Sequence, residues 1–413
     1  MNLASFPREI IDLILTSGDL ELKDYRQLRL VCRRIGEIAN SYALAQLKFN
    51  VSEEDLDLLN NVANSPVYVR HLTSLALHVV PIKKYGPADE QVTTRHADIL
   101  AGRNTISLDR FHDGIKSFVA KIPKLGHLKV CAFIRRNPSA EPVPISEDEA
   151  LFYAPYAYFL VQAAYKSGAA LQSLELDGIH PSAFDTGGYG LYDLGDWFPH
   201  LTKLSLKIID NDNNFTEGHV SDCAITMNRG VIRGALAKMR QLNKLDLSFV
   251  LPDLPTRESS LDGENAWERH IDLEDVIPLD VTWPNLENLL LARIKAPRQQ
   301  LQALILKHHT LKVVRLELVD LDKISWKQFL PELRRGMDWS KRRLVLRGIS
   351  YGRREDEARM DENLVLDYEY NDFGWDKTDV LAGRFRLGDA IEKWMREKDG
   401  TLPLDNPRWW QFA

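Results

Sequence analysis

Apolar and polar residues alternate along much of this chain in a recurring six-residue pattern, L-x-x-L-x-L. Complete copies begin at Leu72, Leu171, Leu201, Leu242 and Leu286, and copies with one substitution begin at Leu125 and Leu311. The alternation at the end of each copy is typical of a β-strand, because successive side chains of a strand point to opposite faces. The pattern therefore predicts seven strands, each with one leucine-rich face that is buried.

Segments with helical character lie between these strands, at 152–166, 230–240, 298–309 and 326–335. Alternation of strands and helices along a chain favours a parallel sheet that is covered by helices. The hexad also resembles the strand half of a leucine-rich repeat. We therefore predict an α/β fold in which an irregular leucine-rich-repeat solenoid is built from parallel strands with covering helices.

The spacing of the copies indicates why this solenoid would be irregular. Successive starts from Leu171 onward are separated by 30, 41, 44 and 25 residues, whereas regular leucine-rich repeats recur every ~20 to 29 residues. Segments rich in proline, glycine, aspartate and asparagine occupy 81–109, 137–149, 177–195, 210–228 and 252–280. We expect long loops there, and loops of such length are often functional, so they could contribute to substrate specificity.

The repeated pattern fades after Leu344. The remaining sequence predicts a last solenoid strand at 344–346, a further strand at 364–368 and a final helix at 389–398. A solenoid needs an end cap that hides the apolar edge of its last repeat. We therefore divide the chain into an N-terminal helical unit at 1–48, a solenoid at 49–350 and a C-terminal cap or tail at 351–413.

The first forty residues follow a helical pattern instead. Phe6-Pro7 suits a helix start, because the proline ring fits the first turn and its missing N–H would have no partner there. Apolar residues follow at helical spacing, first Ile10, Ile11, Ile14 and Leu15, then Leu28, Val31, Cys32, Ile35 and Ile38 in a second run that begins at a predicted N-cap, Asp24. We predict three short helices in this unit, and because helices this short bury little apolar surface, we expect a partner to cover them.

The order of residues in this helical unit resembles the F-box family. The resemblance rests on Phe6-Pro7, Glu9-Ile10, Ile14-Leu15 and the run Leu28-Arg29-Leu30-Val31-Cys32-Arg33-Arg34. The chain departs from the family pattern at Phe6, where leucine is usual, and at Ile35, where an aromatic residue is common. The resemblance implies that a Skp-type adaptor and a cullin scaffold are partners. The adaptor-binding residues that it implies are Pro7, Ile10, Ile14, Leu15, Leu28, Val31 and Cys32.

Residues between the solenoid leucines point away from the core and are candidates for binding a substrate. The predicted substrate-binding residues are Gln172, Glu175, Lys203, Ser205, Lys244, Asp246, Glu287 and Arg315. They mix both signs of charge, which suits a protein partner better than a uniform polyanion.

The family resemblance implies a function for the whole chain. It implies the substrate-recognition subunit of an SCF-type cullin-RING E3 ubiquitin ligase, which binds the adaptor through the F-box and a protein substrate through the solenoid. One alternative is a non-catalytic leucine-rich-repeat interaction scaffold that acts outside a ubiquitin ligase. Another is an enzyme whose site has an unfamiliar pattern.

Composition and charge exclude several classes of function. A hydrophobic content of 44% and a charged content of 27% are typical of globular proteins. We expect an intracellular protein, cytoplasmic or nuclear, with no membrane span and no secretory signal. The net charge of −6 argues against nucleic acid as a partner. Cys32, Cys131 and Cys223 are too far apart to predict a disulfide framework or a zinc site.

Motifs of known chemistry are absent or incomplete. The sequence has no Walker loop, no Gly-x-Ser-x-Gly elbow and no His-Glu-x-x-His helix. Asp372-Phe373-Gly374 matches a magnesium-binding tripeptide of kinases, but the other kinase motifs are missing. The run at 210–214 begins like a calcium loop, yet Phe215 and Ser221 stand where glycine and glutamate are required. We predict no cofactor, no metal and no catalytic residue.

Overall fold

The chain is seen here in a computed structural model. The structure describes residues 6–17, 20, 22–79, 106–132, 134–135, 142–143, 147–184, 190–209, 226–250, 271–317, 319–321, 326–350, 364–366 and 391–397. The chain divides into two compact units, residues 1–177 and 178–413.

The first unit begins with helices and continues as alternating strands and helices. Its helices are α1 (Arg8–Ser17), α2 (Leu22–Leu28), α3 (Arg33–Ala43), α4 (Glu53–Ala63), α5 (Pro66–His71), α6 (Leu108–Val119) and α7 (Glu147–Lys166). Its strands are β1 (Gln46–Asn50), β2 (Ser74–His78), β3 (His127–Cys131), β4 (Ile134–Arg135), β5 (Pro142–Val143) and the start of β6 (Ser173–Ile179). The serine N-cap of α4, Ser52, accepts a hydrogen bond from the Asp55 amide, and Ser107 caps α6 in the same way.

Strands β1, β2, β3 and β6 pair in that order, and every pairing is parallel. The register aligns two apolar rows, Leu47-Leu75-Leu128-Leu174 and Phe49-Leu77-Val130-Leu176. Apart from the half-buried Leu47, these side chains are buried. The short strands β4 and β5 form a separate antiparallel pair.

The second unit repeats the alternation of strand and helix. Its remaining strands are β7 (Lys203–Ile209), β8 (Lys244–Val250), β9 (Ile271–Asp272), β10 (Asn288–Ala292), β11 (Ile294–Lys295), β12 (Val313–Glu317), β13 (Arg343–Ser350) and β14 (Leu364–Leu366). Its helices are α8 (Leu194–Trp197), α9 (Val231–Lys238), α10 (Leu273–Val276), α11 (Arg298–Lys307), α12 (Trp326–Gly336) and α13 (391–396), with a 3-10 turn at Pro181–Phe184.

Strands β7, β8, β10, β12 and β13 form consecutive parallel pairs, and β14 pairs antiparallel with β13. The register aligns the rows Leu204-Leu245-Leu289-Val314-Leu344 and Leu206-Leu247-Leu291-Leu316-Leu346. All ten side chains are buried. The hexads therefore form parallel strands with a continuous leucine-rich face, which confirms the predicted α/β architecture.

A repeated backbone contact fixes where most strands begin. In six places, one carbonyl oxygen accepts the amides of two successive residues at the start of the next strand, over 2.7 to 3.1 Å. The accepting residues are Ala45, Thr73, Gly126, Thr202, Asn243 and Glu287. We call this set of contacts the carbonyl ladder. It links neighbouring repeats through backbone atoms alone, so it does not depend on the side chain at those positions.

The structure agrees with some details of the sequence predictions and differs in others. The amphipathic run from Asp24 to Ile38 is divided at residues 29–32 into α2 and α3, so with α1 the N-terminal unit has the three short helices that were predicted. Asp24 lies in the first turn of α2 and is therefore not its N-cap. Strand β1 was not predicted, although Leu44 to Phe49 repeats the hexad with phenylalanine in the last position.

Several predicted features fall wholly or largely outside the described residues. These are most of the predicted loops at 81–109, 137–149, 210–228 and 252–280, the middle of 177–195, most of the tail beyond 350, Cys223 and the tripeptide Asp372-Phe373-Gly374.

Candidate functional site

Helices α1, α2 and α3 pack around a small core of their own. Ile11, Leu15 and Ile38 are buried at its centre, and Phe6, Leu20, Tyr25, Leu28 and Tyr42 pack against them. The Tyr25 hydroxyl donates to the Leu15 carbonyl over 2.8 Å, and its ring stacks on Tyr42 with centroids 5.1 Å apart. These contacts hold α1 against the two helices that follow it.

Polar contacts fix the same arrangement from the outside. The Tyr42 hydroxyl donates to Asp12 Oδ1 over 3.1 Å, and Arg34 Nη2 donates to the Phe6 carbonyl over 2.8 Å. Burial and the bond to Asp12 both raise the pKa of Tyr42, so its hydroxyl stays protonated and remains a donor. These two hydrogen bonds therefore add to the apolar core in holding α1 against α3.

Five large apolar side chains of these helices point into solvent. They are Ile10, Leu13, Ile14, Leu30 and Val31, with exposed fractions between 40% and 79%. We call them the helical apolar set. The first three share one side of α1, because residues three and four apart are neighbours on a helix. The other two follow directly after α2.

Leu30 and Val31 lie in a hydrogen-bonded turn that follows α2. The amide of Leu30 bonds the Gln27 carbonyl over 2.9 Å, and the next residue continues the turn. A β-carbon at Gly36 of α3 would lie only 2.8 Å from the Arg29 carbonyl oxygen. Helix α3 therefore approaches the turn too closely to leave room for a side chain at Gly36.

The predicted adaptor-binding residues fall into three groups of exposure. Pro7, Ile10, Ile14 and Val31 are exposed, Leu28 and Cys32 are half-buried, and Leu15 lies in the core at 2% exposure. The Leu15 side chain is covered within the chain, so it does not belong to the exposed surface. Leu13 and Leu30 are exposed as well but were not among the predicted residues. Leu13 lies three residues after Ile10, and Leu30 lies between Leu28 and Arg34, in the run that resembles the F-box pattern.

Two predicted substrate-binding residues lie in the first unit. Gln172 is exposed just before β6, and Glu175 is on the outward face of that strand. Glu175 forms an ion pair with Lys129 on the adjacent strand β3. Burial opposes the charged form of Lys129, but the hydrogen bond to Glu175 and nearby anionic groups outweigh it and raise its pKa.

The other predicted substrate-binding residues lie in the second unit. The register of β7 and β8 places Lys203 opposite Lys244 and Ser205 opposite Asp246. Lys244 Nζ is 2.8 Å from Asp246 Oδ2. The structure therefore brings four of the predicted residues together on two neighbouring strands.

The remaining two lie further along the second unit and are also paired. Glu287, just before β10, accepts from Lys312 over 2.7 Å. Arg315 on β12 lies 3.8 Å from Glu317. In the sheet register, Arg315 is opposite Leu290 on β10 and Val345 on β13.

The buried histidine of the second unit has a structural role. The Trp283 amide donates to His308 Nε2 over 3.1 Å, and His308 Nδ1 lies 2.7 Å from the Leu304 carbonyl oxygen. Nδ1 therefore carries the proton of a neutral ring. Burial lowers the pKa of His308, which keeps the ring neutral. Both ring nitrogens are thus occupied within the chain.

The described ranges contain neither a metal-binding cluster nor a helix that could span a membrane. No group of three or more histidine, cysteine, aspartate or glutamate side chains there is placed to hold a metal ion. No helix among those residues is both long enough and apolar enough to cross a bilayer. Cys32 and Cys131 are not joined in a disulfide within the described part of the chain.

The comparisons with known proteins give a likeness among solved structures. No protein-family model matches the sequence, and no curated protein matches it. Among solved structures, the chain is similar to a chain in the crystal structure of the Rad7 and Elc1 complex in yeast. The two are 16% identical over 87% of this chain and 92% of that chain, with a TM-score of 0.30. A likeness at this TM-score says nothing about function.

Proposed function

We propose that this chain is the substrate-recognition subunit of an SCF-type cullin-RING E3 ubiquitin ligase. In this role α1 to α3 bind a Skp-type adaptor, and the outward faces of the parallel strands hold a protein substrate. The chain does no bond chemistry itself and uses no cofactor. Its contribution is proximity, because it holds the acceptor lysine near a conjugating enzyme that its partners supply.

The exposure of the helical apolar set carries this proposal. Ten large hydrophobic side chains are exposed in the described part of the chain, and five of them lie between residues 10 and 31. Full burial of such a side chain is worth about 1.5 to 3 kcal/mol. Leaving five in water is unfavourable for an isolated chain, and apolar surface of this kind marks sites of protein interaction.

The proposal is tested by charge substitution within the helical apolar set. Ile10→Asp and Val31→Asp each place an unpaired carboxylate in a surface that adaptor binding would desolvate. We expect each to weaken binding of a purified Skp-type adaptor by at least about thirtyfold, the loss typical of an interface hot spot. Isothermal titration calorimetry of the full chain with the adaptor measures this change.

Leu58→Asp is the matched control. Leu58 lies on α4 and is 41% exposed, against 40% for Ile10, but it is not part of the helical apolar set. We expect Leu58→Asp to bind the adaptor as the unchanged chain does, with all three variants folded by circular dichroism. If the adaptor binds the Ile10 and Val31 variants as well as the control, the proposed ligase role is wrong and a scaffold role outside a ligase replaces it.

A further inference from the structure

The outward face of the second unit is richer in cations than in carboxylates. Among the side chains described on β7, β8, β10, β12 and β13, the cations are Lys203, Lys207, Lys244, Arg315 and Arg343, and the carboxylates are Asp246 and Glu317. The chain as a whole has a net charge of −6. Positive charge is therefore concentrated on this face against the overall balance of the protein.

The carboxylates on and beside this face are already paired. Asp246 pairs with Lys244, Glu317 lies beside Arg315, and the flanking Glu287 pairs with Lys312. At the far strand, Glu392 of α13 accepts from Arg343 over 2.9 Å. The described carboxylates here are thus engaged by neighbouring cations.

Lys203 differs from these cations. It is exposed, and it has no carboxylate partner among the described residues. The register places it directly opposite Lys244, which is paired with Asp246 on its own strand. Like charges in opposite positions of a sheet repel each other. A carboxylate of a bound partner beside Lys203 would supply to that lysine the neutralising charge that Asp246 supplies to Lys244.

The surrounding residues indicate which kind of anion fits. Ser205 follows on the same face and adds a hydroxyl that can donate a hydrogen bond. The neighbouring strand β10 presents Asn288 and Leu290, which are uncharged. A continuous phosphate backbone would have to cross these uncharged residues. A short acidic segment of a protein needs only the two lysines and adjacent neutral surface.

We propose that the outward face of β7 and β8 binds an acidic segment of a partner protein, with carboxylate side chains seated beside Lys203 and Lys244. This inference rests on the proposed function only in taking that partner to be the substrate. The binding itself requires no adaptor. If the partner is the substrate, negative charge is the property by which this chain selects it.

The test uses the full chain without adaptor and a defined probe. The probe is a fluorescein-labelled dodecapeptide of alternating glutamate and glycine, and its binding is followed by fluorescence anisotropy. We expect it to bind more tightly than the same peptide with glutamine in place of glutamate. Binding should weaken as salt is added, because attraction between exposed charges is screened.

Charge reversal locates the binding surface. Lys203→Glu combined with Lys244→Glu should weaken binding of the acidic peptide by about tenfold or more. Lys203→Gln with Lys244→Gln should weaken peptide binding less. This neutral double variant shows whether a loss of binding arises from charge or from a folding defect that the charge reversal causes. The control is Lys116→Glu with Lys124→Glu, which makes the same change in net charge at two exposed sites of the first unit.

Two results would overturn the proposal. One is an equal loss of peptide binding in the control and in the Lys203 and Lys244 variants, because the effect would then follow net charge alone. The other is tighter binding of a single-stranded RNA dodecamer than of the acidic peptide, which would assign the face to nucleic acid. Ile10→Asp should bind the peptide normally, so failure of adaptor binding and failure of peptide binding are observed separately.

Discussion

The helices at the start of the chain and the parallel strands use apolar residues in opposite ways. In the second unit, Leu204, Leu245 and Leu289 occupy inward positions and are buried. In α1 and in the turn after α2, residues of the same chemical type, such as Leu13 and Leu30, point into water. Apolar composition alone therefore does not say whether a side chain stabilises the fold or serves association.

This difference implies that substitutions in the two regions should have separate consequences. An inward leucine removed from the strands leaves a cavity, because the surrounding core cannot fully close around it. An exposed residue of the helical apolar set leaves no cavity in the isolated chain, and its loss is felt only when a partner binds. Stability and binding can therefore be measured independently in the two regions.

The largest effect is expected at an inward leucine. Leu245→Ala should lower the free energy of unfolding by about 2 to 5 kcal/mol through loss of burial and cavity formation. Ile14→Ala, at an exposed position of α1, should change it by no more than about 0.5 kcal/mol. Urea denaturation followed by circular dichroism measures both. Similar losses in the two variants would contradict the separation of roles.

The next effect is expected at the buried histidine. His308→Leu should lower stability at neutral pH by about 1 to 3 kcal/mol, because the Trp283 amide loses its buried acceptor. His309→Leu is the control, since that neighbouring side chain is exposed. Chemical denaturation of both variants at the same pH separates the buried contact from a general effect of removing a histidine.

The same histidine should make stability depend on pH. Because the pKa of His308 is lowered in the folded chain, the unfolded chain binds the proton first as pH falls below about 6.5. Its contribution to stability is therefore present above that pH and is lost toward acid. The decline in unfolding free energy from pH 7.5 to 5.5 should be shallower in His308→Leu than in His309→Leu. An equal slope in the two would contradict this assignment.

A smaller effect is expected where α3 meets the turn after α2. Gly36→Ala should cost about 1 kcal/mol net, because the contact with the Arg29 carbonyl outweighs the gain from alanine's better helix propensity. The change should also displace the turn that carries Leu30 and Val31. Adaptor titration should then show weaker binding, whereas Gly234→Ala, where a β-carbon meets open space, should leave binding unchanged.

The smallest effect is expected at the outward ion pairs of the strands. Lys312→Ala removes an exposed pair with Glu287 and should change stability by less than about 1 kcal/mol. The melting temperatures of Lys312→Ala and Leu245→Ala, measured in the same experiment, compare the two effects directly. A loss as large as that of the leucine variant would mean that outward charges hold the sheet together.

The strands were predictable because apolar and polar residues that alternate with a period of two are typical of β-strands. Each hexad combines close leucine spacing with alternation, and the structure turns every one of the seven predicted copies into a parallel strand. The strand that was missed, β1, carries Phe49 at the final leucine position. A pattern that admitted aromatic residues there would have found it.

The details of the helical unit were less accessible from sequence. Helix α1 is apolar around much of its circumference, so spacing alone cannot show that Leu15 faces the core while Leu13 faces solvent. The break between α2 and α3 falls at residues 29–32, which include no glycine or proline, and Gly36 comes only after α3 has begun. The close approach of α3 to the Arg29 carbonyl at Gly36 is a contact of the folded unit that residue spacing does not show.

The carbonyl ladder allows the connections between strands to vary in length and sequence. Six strands are aligned by two backbone amides at their own start, whatever the number of residues that precede them. Lengthening a connection costs little, since doubling a flexible loop adds only about 0.6 kcal/mol of closure entropy. Intervals as different as 25 and 44 residues can therefore join strands in the same register. The residues just before each strand are natural points for recombination, where whole connections can be exchanged between relatives or grafted by design.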